Sequence, residues 1–462
     1  MDRIRTLLAR SKAGAAEYEP LADDESGTLR GSTGEEASSF SWAEYCVFAL
    51  VGVAMLWAWN MFLAATPYFQ TRFQSDPWIL ANSQSAILTT STVFNLGSML
   101  VLAGMQSSAN YPFRISASLV MGVAVFAMLA ISTFSFLDVS PTLYLAFLLL
   151  MVALAAVATG LMQNGAFSLA ASFGRPEYTQ AIMAGHGVAG ILPPLTQMFS
   201  FLAFSDDSPS AGGPAPDGGS TAALVYFLTA VLVSLLTLAA FVPLARRHDR
   251  DHLSSSSPAS PSSTDNGGGD PPRRHVPVAT LVRKLGWLAG AVSMCFIVTM
   301  FFPVFTAKIL SVHDKTGDGD GDGRATAPLF RPGAFIPLAF FFWNLGDLAG
   351  RVSTMAPALS SLGRRAPAAL FALSLARWAF LPLYTLCNLH GAGAAVPSDA
   401  FYLAAVQLPF GLTNGWLSSA AMMAAADWVD EDERPAAGGF MSTCFVGGLA
   451  VGSVLSFTAA GV

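Results

Sequence analysis

Long apolar segments separated by short polar ones recur along the chain from about residue 43. Each is long enough for a helix to cross a hydrocarbon core of about 30 Å. The pattern therefore predicts an all-α membrane protein with eleven transmembrane helices. Their predicted ranges are 43–69, 82–106, 113–137, 141–173, 179–203, 221–245, 284–310, 330–356, 366–389, 400–427 and 435–459.

Two longer polar segments interrupt this pattern. Residues 205–220 are rich in Pro, Gly and Ser and predict a loop, whereas residues 246–283 have basic ends around a Ser/Pro/Gly-rich middle that predicts disorder. We expect a disordered cytoplasmic tail over 1–42, helices one to six over 43–245, a disordered cytoplasmic loop over 246–283, and helices seven to eleven over 284–462. A 6+5 arrangement of this kind is typical of transporters that rock around a central site.

Composition and charge strengthen the membrane interpretation. The chain is 53% hydrophobic and 12% charged, whereas soluble domains carry about 25% charged residues. With the N-terminus in the cytoplasm, 18 of the 24 Lys and Arg residues fall in the predicted cytoplasmic segments and five on the opposite side. This asymmetry predicts a cytoplasmic N-terminus. No basic patch indicates a nucleic-acid partner.

Several short motifs do not predict a disulfide, cofactor or metal site. The four cysteines, Cys46, Cys295, Cys387 and Cys444, lie in apolar segments and predict free thiols. The glycine string at 185–190 matches a dinucleotide motif, but it lies in an apolar helix, so it predicts close helix packing instead. The Asp/Gly repeat at 318–323 imitates a calcium loop, yet it lacks the closing glutamate and predicts a solvated acidic loop.

One predicted span carries an unusual set of side chains for a membrane interior. Asp347 and Arg351 are four residues apart and share a helix face, and Asn344 and Phe340 extend the same stripe. Ionisable groups inside a membrane favour a functional role, here binding of a planar, polar solute. The alternative is a neutralised pair that locks two helices together, with Arg351 reaching the cytoplasmic surface.

Other spans contribute isolated polar or aromatic candidates. Gln163 and Asn164 are adjacent, about 100° apart on a helix, so Gln163 alone is expected to face a central site; an interhelical hydrogen bond is the alternative. Trp59 with Asn60 predicts an aromatic wall. Arg377 lies within a span and requires an anionic or carbonyl partner.

The order of these residues resembles the equilibrative nucleoside transporter family, from about Trp57 to Phe457. The strings that carry the resemblance are Trp59-Asn60-Met61-Phe62, Ala65-Thr66-Pro67-Tyr68-Phe69, Gln163-Asn164-Gly165-Ala166-Phe167, Gly185-His186-Gly187-Val188-Ala189-Gly190, Phe302-Pro303, Asn344 with Asp347, Gly350 and Arg351, Leu375-Ala376-Arg377 and Thr413-Asn414-Gly415. The resemblance implies eleven spans, a fold similar to the major facilitator superfamily, and passive movement of nucleosides or, in some members, nucleobases.

Carried over by position, the resemblance also implies a central pocket and a gate. The implied pocket residues are Leu56, Trp59, Asn60, Gln163, Phe340, Asn344, Asp347 and Arg351. Phe302 resembles a gate aromatic. His186 stands where the family has glutamine, and together with Asp347 it leaves room for proton sensing and proton-coupled transport.

The sequence thus predicts a nucleoside transporter, not an enzyme, that works by alternating access. The alternatives are a facilitator of another small polar solute, such as a sugar or a cation, and a membrane receptor or enzyme without transport. Tyr18–Leu21 has the form read by sorting adaptors, although a disordered tail is the simpler interpretation. The expected location is the plasma membrane or a vacuolar or lysosomal membrane.

Overall fold

The fold is known from a computed structural model, which describes residues 40–106, 109–135, 138–204, 218–255, 276–314 and 327–459. The helices of the first half are α1 Trp42–Ala64, α2 Thr66–Phe73, α3 Pro77–Gly104, α4 Tyr111–Ser135, α5 Pro141–Ser172, α6 Pro176–Phe204 and α7 Gly218–Ser255. The acidic loop at 318–323 and the tyrosine motif at 18–21 lie outside the described residues.

The second half contains shorter and more often interrupted helices. They are α8 Val278–Thr299, α9 Phe301–Thr306, α10 Pro332–Ser353, α11 Pro357–Ser360, α12 Leu362–Arg365, α13 Pro367–Ala376, α14 Phe380–Tyr384, a π-helical segment Phe401–Gln407, α15 Leu408–Ala424 and α16 Arg434–Ser456. A 3₁₀ segment, Arg377–Ala379, joins α13 to α14.

Polar residues and prolines begin these helices where the sequence changes from polar to apolar. The Asp76 carboxylate accepts hydrogen bonds from the backbone N–H groups of Trp78 (3.0 Å) and Ile79 (3.1 Å). Proline occupies a first-turn position in α3, α5, α10 and α13. Its fixed φ and missing N–H suit that position, where the backbone donor has no partner within the helix.

Within the described residues, nine helical segments are long and apolar enough to cross a membrane, and the chain is a multi-pass membrane protein. Two predicted spans, 179–203 and 400–427, are not among the nine. The first corresponds to α6, which contains two prolines, and the second to the π-helical segment followed by α15, which is 17 residues long. The total of eleven spans remains a prediction.

Prolines explain where two predicted spans are interrupted. The span predicted at 284–310 is interrupted at Met300, between α8 and α9, and the span at 366–389 is interrupted at Arg377. Pro303 and Pro382 follow these breaks, and neither residue has an N–H to donate to the carbonyl four residues before it. The breaks leave backbone carbonyls free to accept other donors.

The buried core is continuous between the halves at one end of the bundle and divided at the other. One cluster joins residues of the first half, such as Phe48 and Ile182, to residues of the second, such as Leu285 and Leu417. Two further clusters lie at the opposite end, one built from residues 61–230 and one from residues 298–459. We call these the joined end and the divided end.

Glycines bring α10 and α15 into backbone contact. Gly346 and Gly350 on α10 face Gly411 and Gly415 on α15, and a Cβ at any of the four would overlap a backbone carbonyl oxygen of the other helix. This approach is closer than two helices with ordinary side chains achieve. It places the side chain of Asn414 beside α10.

Candidate functional site

A cavity of about 360 Å³ lies between the two halves, near the middle of the helices. Most of its lining is apolar, and its polar side chains come from both halves. The lining residues are Met55, Leu56, Ala58, Trp59, Phe62, Leu88, Ser91, Thr92, Asn95, Val152, Ala155, Ala156, Thr159, Gln163, His186, Phe296, Thr299, Met300, Trp343, Asn344, Asp347, Arg351, Asn414, Phe445, Val446, Leu449, Ala450 and Ser453. Small-molecule sites commonly combine apolar walls with a few polar groups in this way.

A buried ion pair forms the polar centre of the second-half wall. The Arg351 Nε donates to Asp347 Oδ2 at 2.6 Å, and its Nη2 is 3.3 Å from Asp347 Oδ1. Each residue is 4% exposed. The pair is held by one turn of α10, because residues four apart lie on the same helix face. Both charges are therefore kept in a region where an unpaired charge would be strongly unfavourable.

Asn414 and Thr299 extend this ion pair to two neighbouring helices. The Asn414 Nδ2 donates to Asp347 Oδ1 at 2.8 Å, and the Thr299 hydroxyl lies 2.8 Å from Asn414 Oδ1. Asn414 reaches Asp347 because the glycines of α15 and α10 allow the two backbones to touch. The carboxylate is thus oriented from two sides.

Arg377 forms the far end of the same network. Its guanidinium donates to the carbonyl oxygens of Cys295 (2.7 Å) and Phe410 (3.4 Å) and to the Thr299 hydroxyl (3.3 Å), and it lies 4.8 Å from the centre of the Phe410 ring. Carbonyl oxygens and an aromatic face therefore stabilise the buried arginine. Of the two kinds of partner expected for Arg377, anionic or carbonyl, the structure shows carbonyl groups.

Contacts toward the joined end tie Arg351 to the first half. Its backbone carbonyl accepts a hydrogen bond from Gln180 Nε2 at 3.1 Å, and the Tyr45 hydroxyl donates to Gln180 Oε1 at 2.6 Å. This chain of bonds crosses from α1 through α6 to α10. It holds the two halves together on the joined side of the cavity.

The first-half wall has polar groups that make no such bonds. Gln163 is 6% exposed and Asn95 is partly buried, and both carboxamide oxygens are shielded from water without a hydrogen-bond partner among the described residues. The neighbouring Asn164 faces away from the cavity and accepts a short hydrogen bond from Arg114. The difference between Gln163 and Asn164 follows from the 100° between adjacent helical residues.

His186 also lines the cavity but has largely apolar neighbours. Its Nε2 lies 3.1 Å from the Met55 sulfur, and its ring centre is 6.3 Å from that of Phe167 and 6.1 Å from that of Phe445. Its own helix, α6, is continuous, and Gly185 packs against the Ala49 carbonyl. The glycine string is thus a helix contact.

Comparison with known proteins identifies the family. Residues 149–460 match the family model described as nucleoside transporter. The chain belongs to the equilibrative nucleoside transporter family. It is 28% identical to nucleoside transporter FUN26 of Saccharomyces cerevisiae, over 89% of this chain and 83% of that protein. It is 26% identical to equilibrative nucleoside transporter 1 of Homo sapiens, over 90% and 96% respectively.

Solved structures support the fold of this family member. The major facilitator superfamily transporter FucP, in its outward conformation, matches with a TM-score of 0.53 at 14% identity, covering 91% of this chain and 92% of FucP. The proton:xylose symporter XylE matches with a TM-score of 0.51 at 11% identity, covering 90% and 87%. The predicted likeness to the major facilitator fold is confirmed.

The transporter places the predicted site residues in two groups. Those that line the cavity are Leu56, Trp59, Gln163, Asn344, Asp347, Arg351 and the proton-sensing candidate His186. Phe340 and the gate candidate Phe302 lie behind Trp343: the Phe302 ring is 4.2 Å from the Trp343 ring and 5.0 Å from the Phe340 ring. Asn60 donates to the Ala189 carbonyl at 2.9 Å, outside the lining.

Sequence reasoning missed several residues of this site. Asn95 follows a run of Ser and Thr in a span that contains other amides, so nothing in the sequence distinguishes it. Asn414 was part of the family resemblance but had no assigned role. Thr299 and Trp343 look ordinary in the sequence, because their positions depend on the break at Met300 and on the packing of α10. Among the described residues, no group of three His, Cys, Asp or Glu side chains could hold a metal.

Proposed function

We propose that this chain moves nucleosides across a membrane by alternating access, with one nucleoside held in the central cavity. Nucleobases are the alternative cargo. The observation that carries the proposal is the buried set of Asp347, Arg351 and Asn414 in a cavity whose opposite wall holds Gln163. Hydrophilic groups at this depth are unfavourable unless they face a partner or a polar guest.

The chemistry of the cavity suits a molecule with a polar sugar and a planar base. The Asp347 carboxylate accepts hydrogen bonds from ribose hydroxyls, and the Arg351 guanidinium donates to hydroxyl oxygens. Gln163 bonds to the base, and Leu56, Trp59 and Trp343 supply the apolar walls against its faces. Asn344 completes the polar stripe of α10. No bond of the substrate is made or broken in this proposal.

Phe302, Phe340 and Asn60 act from outside the cavity lining in this scheme. The Phe302 ring stacks on Trp343 with an angle of 11° between the planes. Phe302 lies in α9, the short helix after the break at Met300, so a movement of α9 would carry Trp343 with it. This arrangement supports a gating role for Phe302, whose ring also packs against Phe340. Asn60 links α1 to α6 through its hydrogen bond to the Ala189 carbonyl.

The uneven core supports alternating access. The joined end has one core cluster across both halves, whereas each half has its own cluster at the divided end. Rocking of the halves would open the joined end and close the divided one. The distribution of Lys and Arg favours a cytoplasmic joined end and N-terminus, in a plasma membrane or a vacuolar or lysosomal membrane.

Uptake into proteoliposomes tests this function. The purified protein should take up labelled uridine, adenosine should compete, and glucose should not. Asp347→Asn leaves Arg351 as an unpaired buried charge and should reduce uptake by roughly a hundredfold. Asp430→Asn, at an exposed carboxylate paired with Lys284, is the matched control and should retain uptake. Competition by glucose, or normal uptake by Asp347→Asn, would contradict the proposal.

The same vesicles test proton coupling at His186 and Asp347. If a proton moves with the nucleoside, an inward proton gradient drives uridine above its equilibrium level, and His186→Gln removes that accumulation while equilibration persists. Equal final levels with and without the gradient in the unmodified protein would establish facilitated diffusion and remove the proton-sensing role.

A further inference from the structure

Two carboxamides in the first-half wall stand apart from the other buried amides near the cavity. Asn60, Asn164 and Asn414 each make a side-chain hydrogen bond to another helix. Asn95 and Gln163 make none to any described residue, and their oxygens are shielded from water. Burying a polar group without a hydrogen-bond partner is unfavourable, so such a group in a native site calls for an explanation.

The two carboxamides are close enough to contact one ligand. A Cβ on Gly160 of α5 would lie 2.0 Å from Ser98 Oγ and 3.3 Å from Asn95 Oδ1, so α3 packs closely on α5 at Gly160 and the Asn95 carboxamide lies at the edge of that contact. Gln163 is three residues further along α5, which corresponds to a rise of about 4.5 Å. Both residues line the same cavity. Together they form a carboxamide pair, Asn95 and Gln163.

The groups that the carboxamide pair recognises depend on whether each carboxamide is free to rotate about its last side-chain bond. A carboxamide has one acceptor edge and one donor edge, and a half-turn about its last bond exchanges them. No hydrogen bond to a described residue would be broken by that turn in either member of the pair. The pair therefore bonds equally well to an amino group and to a carbonyl group on a planar ring.

We propose that Asn95, together with Gln163, reads the hydrogen-bonding edge of the nucleobase and accepts amino and keto bases alike. The inference rests on the proposed nucleoside transport and specifies its substrate range. A base with neither group at that edge has only a ring nitrogen as an acceptor there and no N–H donor, so the carboxamide oxygens stay unpaired inside the membrane. Sites built to bond a polar group reject analogues that lack it far more strongly than apolar sites do.

Three ribonucleosides test the inference by competing with labelled uridine in proteoliposomes. Adenosine carries a 6-amino group, inosine a 6-keto group, and purine riboside neither. In the unmodified protein, adenosine and inosine should inhibit within about threefold of each other, and purine riboside should inhibit at least about tenfold more weakly. Equal inhibition by all three would overturn the inference while leaving nucleoside transport intact. Absence of uridine uptake would instead contradict the proposed function.

Two substitutions of Asn95 give independent readouts. Asn95→Leu removes both edges and keeps a side chain branched at Cγ, so the preference for adenosine over purine riboside should fall by about fivefold to tenfold. Asn95→Asp, when ionised, has only acceptor oxygens, which keep the bond to the 6-amino group of adenosine and repel the 6-keto oxygen of inosine, so inosine should become weaker than adenosine by about tenfold. An unchanged adenosine to purine riboside ratio in Asn95→Leu, or equal inhibition by adenosine and inosine in Asn95→Asp, would overturn the inference.

Ser98→Ala is the matched control for these variants. Ser98 lies one turn after Asn95 on α3, outside the cavity lining, and its hydroxyl bonds to the Asn95 backbone carbonyl at 2.8 Å. Uptake and all three inhibition ratios should stay as in the unmodified protein. If Asn95→Leu gives no folded protein, the three-nucleoside comparison in the unmodified protein and the Asn95→Asp variant decide the question.

Discussion

The two walls of the cavity differ in how their polar groups are satisfied. On the second-half wall, Asp347, Arg351, Asn414 and Thr299 bond to one another across three helices. On the first-half wall, the carboxamides of Asn95 and Gln163 make no hydrogen bond to a described residue. The walls face each other across one cavity.

This difference separates fixed recognition from adaptable recognition. A network in which every charge is oriented by neighbours is ready for its ligand and loses little entropy when it binds. Such a wall suits the ribose, which all nucleosides share. Free carboxamides adjust to the group they meet, which suits the variable base. Lipid tails offer no hydrogen bonds, so the polar groups of both walls need partners from the protein or from the substrate.

The largest effect should come from breaking the ion pair of the fixed wall. Arg351→Met leaves the Asp347 carboxylate buried without its cation, and loss of one partner of a buried pair costs about 3–5 kcal/mol. The melting temperature in detergent should fall sharply, and little folded protein should be recovered. Arg364→Met is the control, because the ion pair of Arg364 with Asp427 (3.6 Å) is half-exposed. The melting temperature of this variant should be close to that of the unmodified protein. Similar melting of the two variants would show that the network is not structurally important.

A slightly smaller effect should follow from separating α10 and α15. Gly415→Ala puts a methyl group against the Asp347 carbonyl oxygen, and overpacking of this kind costs about 1–3 kcal/mol. Both the melting temperature and uridine uptake should decrease, because Asn414 moves away from Asp347. Gly286→Ala on α8 has open space around the added methyl group and should be tolerated. Equal behaviour of the two variants would rule out a role for this close approach.

The smallest effects should appear along the network that orients Asp347. Asn414→Leu removes one donor to the carboxylate and should reduce uptake by about tenfold, whereas Thr299→Val acts one bond further away and should reduce it by about threefold. Both proteins should remain folded, which melting curves would verify. A larger loss in Thr299→Val than in Asn414→Leu would contradict the proposed order of contacts.

Much of this arrangement could be predicted from the sequence, and the rest depends on packing. Helix periodicity was enough to place Asp347 with Arg351 and to separate Gln163 from Asn164. The same periodicity put Phe340 on the stripe of Asp347, but seven residues also add about 10 Å along the axis, which takes Phe340 to Phe302 instead of the cavity. Periodicity gives the face of a helix and says nothing about which level of that face borders a cavity.

The roles of Asn414, Thr299 and Asn95 required three-dimensional information. Asn414 reaches Asp347 through glycine contacts between helices that are distant in the sequence. Thr299 is positioned by the helix break at Met300. Asn95 looks like many amides in membrane helices, and it becomes notable only because the structure places it in the same cavity wall as Gln163 with no hydrogen-bond partner for its oxygen among the described residues.

A cryo-EM reconstruction of the full chain with saturating adenosine would test the central claim most directly. The account predicts density for one nucleoside between the two walls, with its ribose at Asp347 and Arg351 and its base at Gln163 and Asn95. A cavity without density, or adenosine bound at another place on the protein while uptake is normal, would contradict it.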